Sequence, residues 1–219
     1  LICDYKFSWR RQNNNRYRQP HRYNNYRVKM KLLVLDNYDS FTYNLVHIFR
    51  SLNIDYEVHR NDKISPEEAL SFDIIILSPG PGVPSEAGNM ARIIAACAGK
   101  KPILGICLGH QAIAEYLGAK LSNMKIVYHG VKTKIIIKSN EVIFEGIPRK
   151  IHVGRYHSWE VVRESLPENI SIIAEDENGT IMALSDSTKK IYGIQFHPES
   201  IMTEYGQKII QNFLKIASC

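Results

Sequence analysis

The chemistry with the sharpest signature in this chain belongs to one sulfur. Cys107 stands in Gly105-Ile106-Cys107-Leu108-Gly109-His110-Gln111, between the apolar run Lys101-Pro102-Ile103-Leu104 and a helix-like segment, Leu108 to Leu117, closed by Gly118. Glycine on either side lets the backbone turn sharply and approach its neighbours closely, the arrangement of a nucleophile elbow. A sulfur at a helix N-terminus sits in positive potential, which favours the reactive thiolate. Taken alone, the same cysteine also reads as a small hydrophobe packed under a strand-to-helix turn. A nucleophile needs a base, and the base needs a group that orients it. The strand-like Ile191-Tyr192-Gly193-Ile194-Gln195-Phe196 runs into His197-Pro198-Glu199-Ser200. Residues two apart in an extended segment project to the same side, so His197 and Glu199 can act as base and orienter, with Pro198 stiffening the link. A third run, Asp73-Ile74-Ile75-Ile76-Leu77-Ser78, ends in Pro79-Gly80-Pro81-Gly82. Attack of a thiolate on an amide creates an oxyanion, and each backbone N–H aimed at it contributes about 3–4 kcal/mol. Gly80 and Leu108, the residue after the nucleophile, are the donors on offer. Singly, each motif has an ordinary structural reading; together they point to covalent attack on an amide.

The elements that must position these groups follow from periodicity. Strand, helix, strand, helix is the order, which predicts an α/β fold with an open, mostly parallel sheet covered on both faces. Lys31 to Asp36 reads as the first strand. The following helix places Phe41, Leu45, Ile48, Phe49 and Leu52 on one face, with Ser40 as its N-cap. Ile54 to His59 is the next strand, a short helix begins at Ser65-Pro66, and Ile74 to Leu77 is a buried strand. Glu86 to Ala98 is predicted helical, with Cys97 in the core, and the elbow strand follows. Beyond Gly118 short strands are predicted at Ile126 to Tyr128, Thr133 to Lys138, Glu160 to Arg163, Ser171 to Ala174 and Thr180 to Ser185, as antiparallel hairpins and edges extending the sheet. A last helix buries Ile209, Ile210, Phe213 and Leu214. The three reactive segments all lie at C-terminal ends of strands, where open α/β sheets build their sites. The Asp36 to Asn44 loop sits at the same edge; capping and shaping the site wall suit it better than phosphate binding, since it has no Gly-rich cradle.

In this order, Pro79-Gly80-Pro81-Gly82, the Cys107 heptapeptide and His197-Pro198-Glu199-Ser200 resemble the class I (triad) glutamine amidotransferases, which hydrolyse glutamine and deliver ammonia to a second active site. The resemblance runs from Met30 to the C-terminus. Within the class the likeness is greatest to the glutaminase component of anthranilate synthase and its near twin in aminodeoxychorismate synthase. Asp36-Asn37-Tyr38-Asp39-Ser40-Phe41-Thr42-Tyr43-Asn44, Gly82-Val83-Pro84-Ser85-Glu86-Ala87-Gly88, His129-Gly130 and Arg155-Tyr156-His157-Ser158-Trp159 carry that narrower likeness. It implies a flavodoxin-like sheet, Cys107 as nucleophile, His197 as general base and acid, and Glu199 as orienter. Glutamine would be held by Gly80, Pro81, Gly82 and Gln111, and by the backbone of Ser158 and Trp159. The family usually has Leu where this chain has Trp159, and Lys directly after His129-Gly130 where this chain has Val131 before Lys132. No metal or organic cofactor is implied for this chain. The implied partner is a separate chorismate-binding component I subunit, of anthranilate or aminodeoxychorismate synthase, carrying Mg²⁺. Outside the family, a free-standing thiol hydrolase and a catalytically silent interaction module are the competing classes.

Charge narrows the choice further. Of 28 Lys/Arg and 22 Asp/Glu, residues 1–29 hold eight basic side chains against Asp4 alone, leaving twenty against twenty-one in residues 30–219. The basic excess belongs to the tail, so a nucleic-acid partner is not indicated for the rest of the chain. The tail, rich in Arg, Asn and Tyr with little aliphatic periodicity, is predicted to be disordered. Translated sequence upstream of a true start at Met30 is one reading of its origin, and a transit peptide is the rival. Residues 30–219 suit one domain with a sizeable core. No stretch approaches the roughly 20 apolar residues of a membrane span. Cys3, Cys97, Cys107 and Cys219 show neither metal-ligand spacing nor a disulfide framework, and a catalytic thiol suits a reducing cytoplasm.

Overall fold

A computed structural model describes residues 30–218. The expectation for residues 1–29 lies outside the described residues, as do Cys3 and Cys219. The chain order is β1 (Lys31–Asp36), α1 (Thr42–Ser51), β2 (Asp55–Arg60), α2 (Pro66–Ala69), β3 (Ile74–Leu77), α3 (Met90–Cys97), β4 (Ile103–Ile106) and α4 (Leu108–Tyr116). There follow β5 (Leu121–Asn123), β6 (Val131–Ile137), β7 (Lys150–Arg155), β8 (Trp159–Val161), β9 (Ser171–Asp176), β10 (Ile181–Asp186), β11 (Ile191–Ile194) and α5 (Gly206–Ser218). Among the described residues one nine-stranded sheet runs in the order β2-β1-β3-β4-β11-β10-β9-β6-β7. Its first five strands are mutually parallel, the doubly wound flavodoxin-like order, and the remainder are antiparallel.

Burial on both faces explains why the parallel strands read as unbroken apolar runs. On one face Leu32, Val34, Ile74, Ile76, Leu104 and Ile106 pack with Leu45 and Phe49 of α1 and Ile209, Ile210 and Phe213 of α5. On the other, Leu33, Leu35, Ile75, Leu77 and Ile103 pack with Ile93, Ile94 and Cys97 of α3 and Ile113 of α4. Cys97 is thus core, as expected, and burial pushes its thiol up.

Three local expectations are corrected, and one strand is added. Helix α1 starts at Thr42 without a cap from Ser40. Instead Asp39 Oδ1 accepts the Phe41 N–H at 2.7 Å, and Asp36 Oδ1 accepts the Thr42 hydroxyl at 2.9 Å. Helix α3 starts at Met90, because Pro84–Glu86 form a 3-10 turn and Gly88 takes φ +54°, which ends any helix begun at Glu86. Ile126 to Tyr128 is no strand. Ile126 and Val127 are 68% and 62% exposed, and Leu121–Asn123 pairs with Trp159–Val161 in its place. Strand β7 was absent from the sequence reading, because only Ile151 and Val153 alternate inward and polar or glycine positions surround them. It is an edge strand whose identity comes from pairing with β6. By contrast, Ser65 caps α2 in a full capping box with Glu68, as the Ser65-Pro66 start predicts.

The turn at the centre of the sheet depends on two glycines. A Cβ on Gly105 would collide with the Gly109 carbonyl and come within 2.7 Å of Ile113 Cδ1; one on Gly109 would lie 2.6 Å from Leu77 O. Strand β4, helix α4 and strand β3 are therefore pressed backbone to backbone. Gly105→Ala is expected to destabilise the domain by about 3 kcal/mol, lowering the melting temperature by roughly 6–12 °C. An unchanged thermal melt would show that the contact relaxes at no cost.

Candidate active site

Parallel pairing of β4 and β11 sets Ile106 opposite Ile194. Cys107 follows Ile106 directly, and His197 lies three residues past Ile194, so the two side chains leave neighbouring strand ends. The Cys107 N–H is anchored on the Ile194 carbonyl at 2.9 Å. The residue caps α4 with φ 52° and ψ −100°, a backbone state that non-glycine residues seldom adopt and that surrounding contacts must enforce. The nucleophile elbow read from the two glycines is present. Cys107 is 5% exposed, almost closed off from water.

His197 Nδ1 and Glu199 Oε1 are 2.7 Å apart, and both side chains are buried. A carboxylate accepts from Nδ1–H, which leaves Nε2 of the ring for the nucleophile. Nε2 completes no hydrogen bond at rest, a looseness common in sites awaiting substrate. Burial disfavours a charged ring here. The Cys107 sulfur beside it, together with the Glu199 hydrogen bond and charge, outweighs it and pushes the imidazole up to about 10. Between them these neighbours favour the protonated ring. The rings of Phe41 and Tyr156 lie 5.1 and 4.8 Å from that of His197 and wall it in. Phe41 belongs to the Asp36–Asn44 loop, which shapes the site wall as its sequence suggests.

The Pro79–Gly82 segment follows β3 and meets the elbow. A Cβ on Gly80 would lie 2.6 Å from both Asn37 Cβ and Leu108 Cδ2, so only glycine lets the loop sit against the residue after the nucleophile. Ser78 steadies the loop from behind, its Oγ donating to the Pro79 carbonyl at 2.7 Å while accepting the Asn37 N–H at 2.9 Å. Gly82 adopts φ +72°. Gly80 and Leu108 are thus brought together beside Cys107, while Pro81 and Gly82 are exposed at the rim.

Gln111 is buried on α4, and its Nε2 donates to the Trp159 carbonyl at 3.1 Å and to Gln195 Oε1 at 3.2 Å. The same carbonyl faces His157 Nδ1 at 2.8 Å, so both its lone pairs are engaged. What Ser158 and Trp159 offer a substrate must come from atoms other than that carbonyl. Trp159 acts here through its main chain, which makes its side chain's departure from Leu immaterial to these contacts. Gln195 escaped the sequence reading. Its Nε2 lies 3.6 Å from Cys107 Sγ. The signal was available, since Gln195, His197 and Glu199 alternate along one extended segment. An open concavity of about 680 Å³, lined by Ser122, Lys125, Glu160, Arg163 and Asn178 among others, holds none of the triad. Chemistry rather than cavity size marks the site.

Comparison with known sequences bears directly on this geometry. The sequence profile of the family described as glutamine amidotransferase class-I matches residues 33–217. The chain belongs to that family. Among curated relatives, "Anthranilate synthase component 2" of Pseudomonas aeruginosa is 45% identical over 191 residues, covering 84% of this chain and 94% of that protein. "Aminodeoxychorismate/anthranilate synthase component 2" of Bacillus subtilis is 44% identical over 186 residues, covering 84% and 95%. A solved structure from Thermoplasma acidophilum, described as a candidate GMP synthase component, superposes with TM-score 0.79 at 32% identity, covering 87% of this chain and 94% of its own.

For a glutamine amidotransferase the arrangement would support a balanced sequence of steps. The Cys107 sulfur, its proton passed to His197, would attack the side-chain amide carbon of glutamine, and the carbonyl oxygen would become an oxyanion for the Gly80 and Leu108 N–H groups to receive. His197 would give its Nε2 proton to the leaving nitrogen, so that ammonia departs and a γ-glutamyl thioester remains. Water would then lose a proton to the now neutral His197 as its oxygen attacks the thioester carbon. Glutamate would leave as the sulfur is released, with the proton back on His197. Glu199 would hold the ring in the tautomer that every step requires.

Proposed function

We propose that this chain is the glutaminase subunit, component II, of anthranilate synthase, supplying ammonia to a separate chorismate-binding component I subunit in tryptophan biosynthesis. The observation that carries the choice of synthase is 45% identity along almost the whole of a bacterial protein bearing that name. The site chemistry stands behind the glutaminase half, with Cys107 on its elbow beside the His197–Glu199 pair. Fold likeness alone would not choose the synthase, since the Thermoplasma structure carries a different synthase's name at TM-score 0.79. A second reading has a specific observation in its favour: the Bacillus subtilis relative is named for both aminodeoxychorismate and anthranilate synthesis, so one subunit can serve two synthases. The proposed roles are Cys107, His197 and Glu199 in catalysis, Gly80 and Leu108 at the oxyanion, and Gly80, Pro81, Gly82, Gln111, Ser158 and Trp159 around the bound glutamine. The steps above balance without metal or organic cofactor, and the reading puts Mg²⁺ on the partner. Among the described residues no helix is long and apolar enough to cross a membrane. The cytoplasm is the proposed compartment, because reducing conditions keep Cys107 a thiol.

The purified chain is expected to form glutamate from glutamine slowly, and on the order of tenfold faster once chorismate and the synthase subunit are added. Fluorescent anthranilate as the product separates the first reading from the second. Full-speed amide hydrolysis with no stimulation by any partner would instead identify a free-standing thiol hydrolase. No glutamate under either condition would identify a silent module.

A further inference from the structure

We propose that Gln195 is a further catalytic residue, whose Nε2–H donates to Cys107 Sγ and steadies the thiolate, held in that direction by hydrogen bonds that run through Gln111 from the Trp159 carbonyl. The proposal rests on Cys107 being the nucleophile.

The direction of the chain follows from which groups can donate. Arg155 is fully buried on β7 and pairs with Asp176 through Nη1 and Oδ2 at 2.6 Å. A guanidinium has donors only. Its Nε faces His157 Nε2 at 3.0 Å, so that ring nitrogen must accept and the proton of a neutral ring must sit on Nδ1. Burial first, and then the Arg155 charge, keep His157 neutral by pushing it down to about 3. Nδ1–H donates to the Trp159 carbonyl at 2.8 Å. A carbonyl cannot donate, so the end of Gln111 that meets it at 3.1 Å must be the NH2 group. The second hydrogen of that group points at Gln195 at 3.2 Å, which must then present Oε1. The other end of the Gln195 amide is therefore NH2, and it meets Sγ at 3.6 Å.

Turning the Gln195 amide over would set NH2 against NH2 on one side and a lone pair against the sulfur on the other. The Trp159 carbonyl, which can only accept, fixes the Gln111 amide and through it the Gln195 amide, while Arg155 and His157 hold that carbonyl from its other side. A thiolate accepts such a hydrogen bond more strongly than a thiol, so the chain selects the reactive form. The same chain passes through the main chain of Trp159, tying the nucleophile's surroundings to the turn proposed to border the substrate. The competing account is that Gln195, with no exposed surface, only fills its place in the interior.

Iodoacetamide alkylation of Cys107, followed against pH and mapped by the mass of the Cys107 peptide, separates the two. It needs neither glutamine nor a partner, so it remains readable if the synthase assignment fails. Gln195→Met keeps the shape and removes the donor; the reactivity midpoint is expected to move to higher pH by about one unit. Glutaminase kcat should fall about tenfold with KM within about twofold. Gln195→Glu places an acceptor against the sulfur and should move the midpoint further in the same direction. An unchanged midpoint in either variant that melts like the parent protein would overturn the proposal. If neither variant folds, the parent protein still decides by NMR. One solvent-protected glutamine NH2 pair must shift with the Cys107 midpoint, and its absence would equally overturn the proposal.

Discussion

Cys107→Ser is expected to cut glutamine hydrolysis by at least about 10³-fold while its complex with the synthase subunit continues to form product from free ammonium salts. The substitution exchanges one atom on a backbone that the elbow holds at φ 52°, so the fold is expected to stay intact. What is lost is chemical. A hydroxyl in the same place is a far poorer nucleophile than a thiolate beside an imidazolium. His197 is tuned to that sulfur, since much of what lifts its proton affinity comes from Cys107 itself. Ammonia supplied from outside bypasses the triad entirely. Equal loss of the glutamine-dependent and the ammonium-dependent rates would contradict the division of labour between the two subunits.

Acid should unfold this domain sooner than its carboxylates alone would require. His157 and His110 are buried and neutral, pushed down to about 3 and about 4. For His157 the cause is burial, then the Arg155 charge. For His110 it is burial, with the Gly193 backbone acting in the opposite direction. In the unfolded chain both rings protonate near pH 6.5. Between pH 6.5 and the native values the unfolded state binds more protons, so stability rises with pH and falls on acidification. Each ring contributes about 1.4 kcal/mol per pH unit, hence about 5 kcal/mol lost together between pH 6.5 and 4.5. That is a large share of the 5–15 kcal/mol of a typical domain. His197 does not soften the slope. Its raised value means its contribution is fully present below pH 6.5 and disappears only as pH rises through about 10. Melting temperatures recorded from pH 7 to 4.5 test the account, and a flat profile over that range would show that the two rings are charged in the native state.

The parallel half of the fold was legible because it is buried on both sides. Lys31–Asp36 and Ile74–Leu77 announce themselves as apolar runs, and their bounds agree with the sequence reading. The antiparallel half was less so. Lys150–Arg155 has only two inward aliphatic residues, and its strand character is conferred by a partner that local sequence does not name. Ile126 and Val127 misled in the opposite way, being apolar yet exposed. In the site, the Cys107, His197 and Glu199 cluster could be read because a glycine-flanked cysteine and a histidine two before a glutamate are chemically conspicuous. Gln195 was not, because a glutamine at a strand end has many uses, and only its distance to the sulfur distinguishes one of them. Arg155 likewise shows its importance through burial, which the sequence does not display.

The pairing of β4 with β11 has a consequence in time as well as space. Nucleophile and base occupy neighbouring strands, yet they sit at positions 107 and 197 of the chain. At about 5–20 residues per second, a ribosome delivers the cysteine roughly 5–20 s before its histidine. Throughout that interval the nascent polypeptide carries a thiol with no proton acceptor beside it. Glutamine attack that needs this pair would begin only after His197 has been made, so a product terminated before that position would leave glutamine untouched.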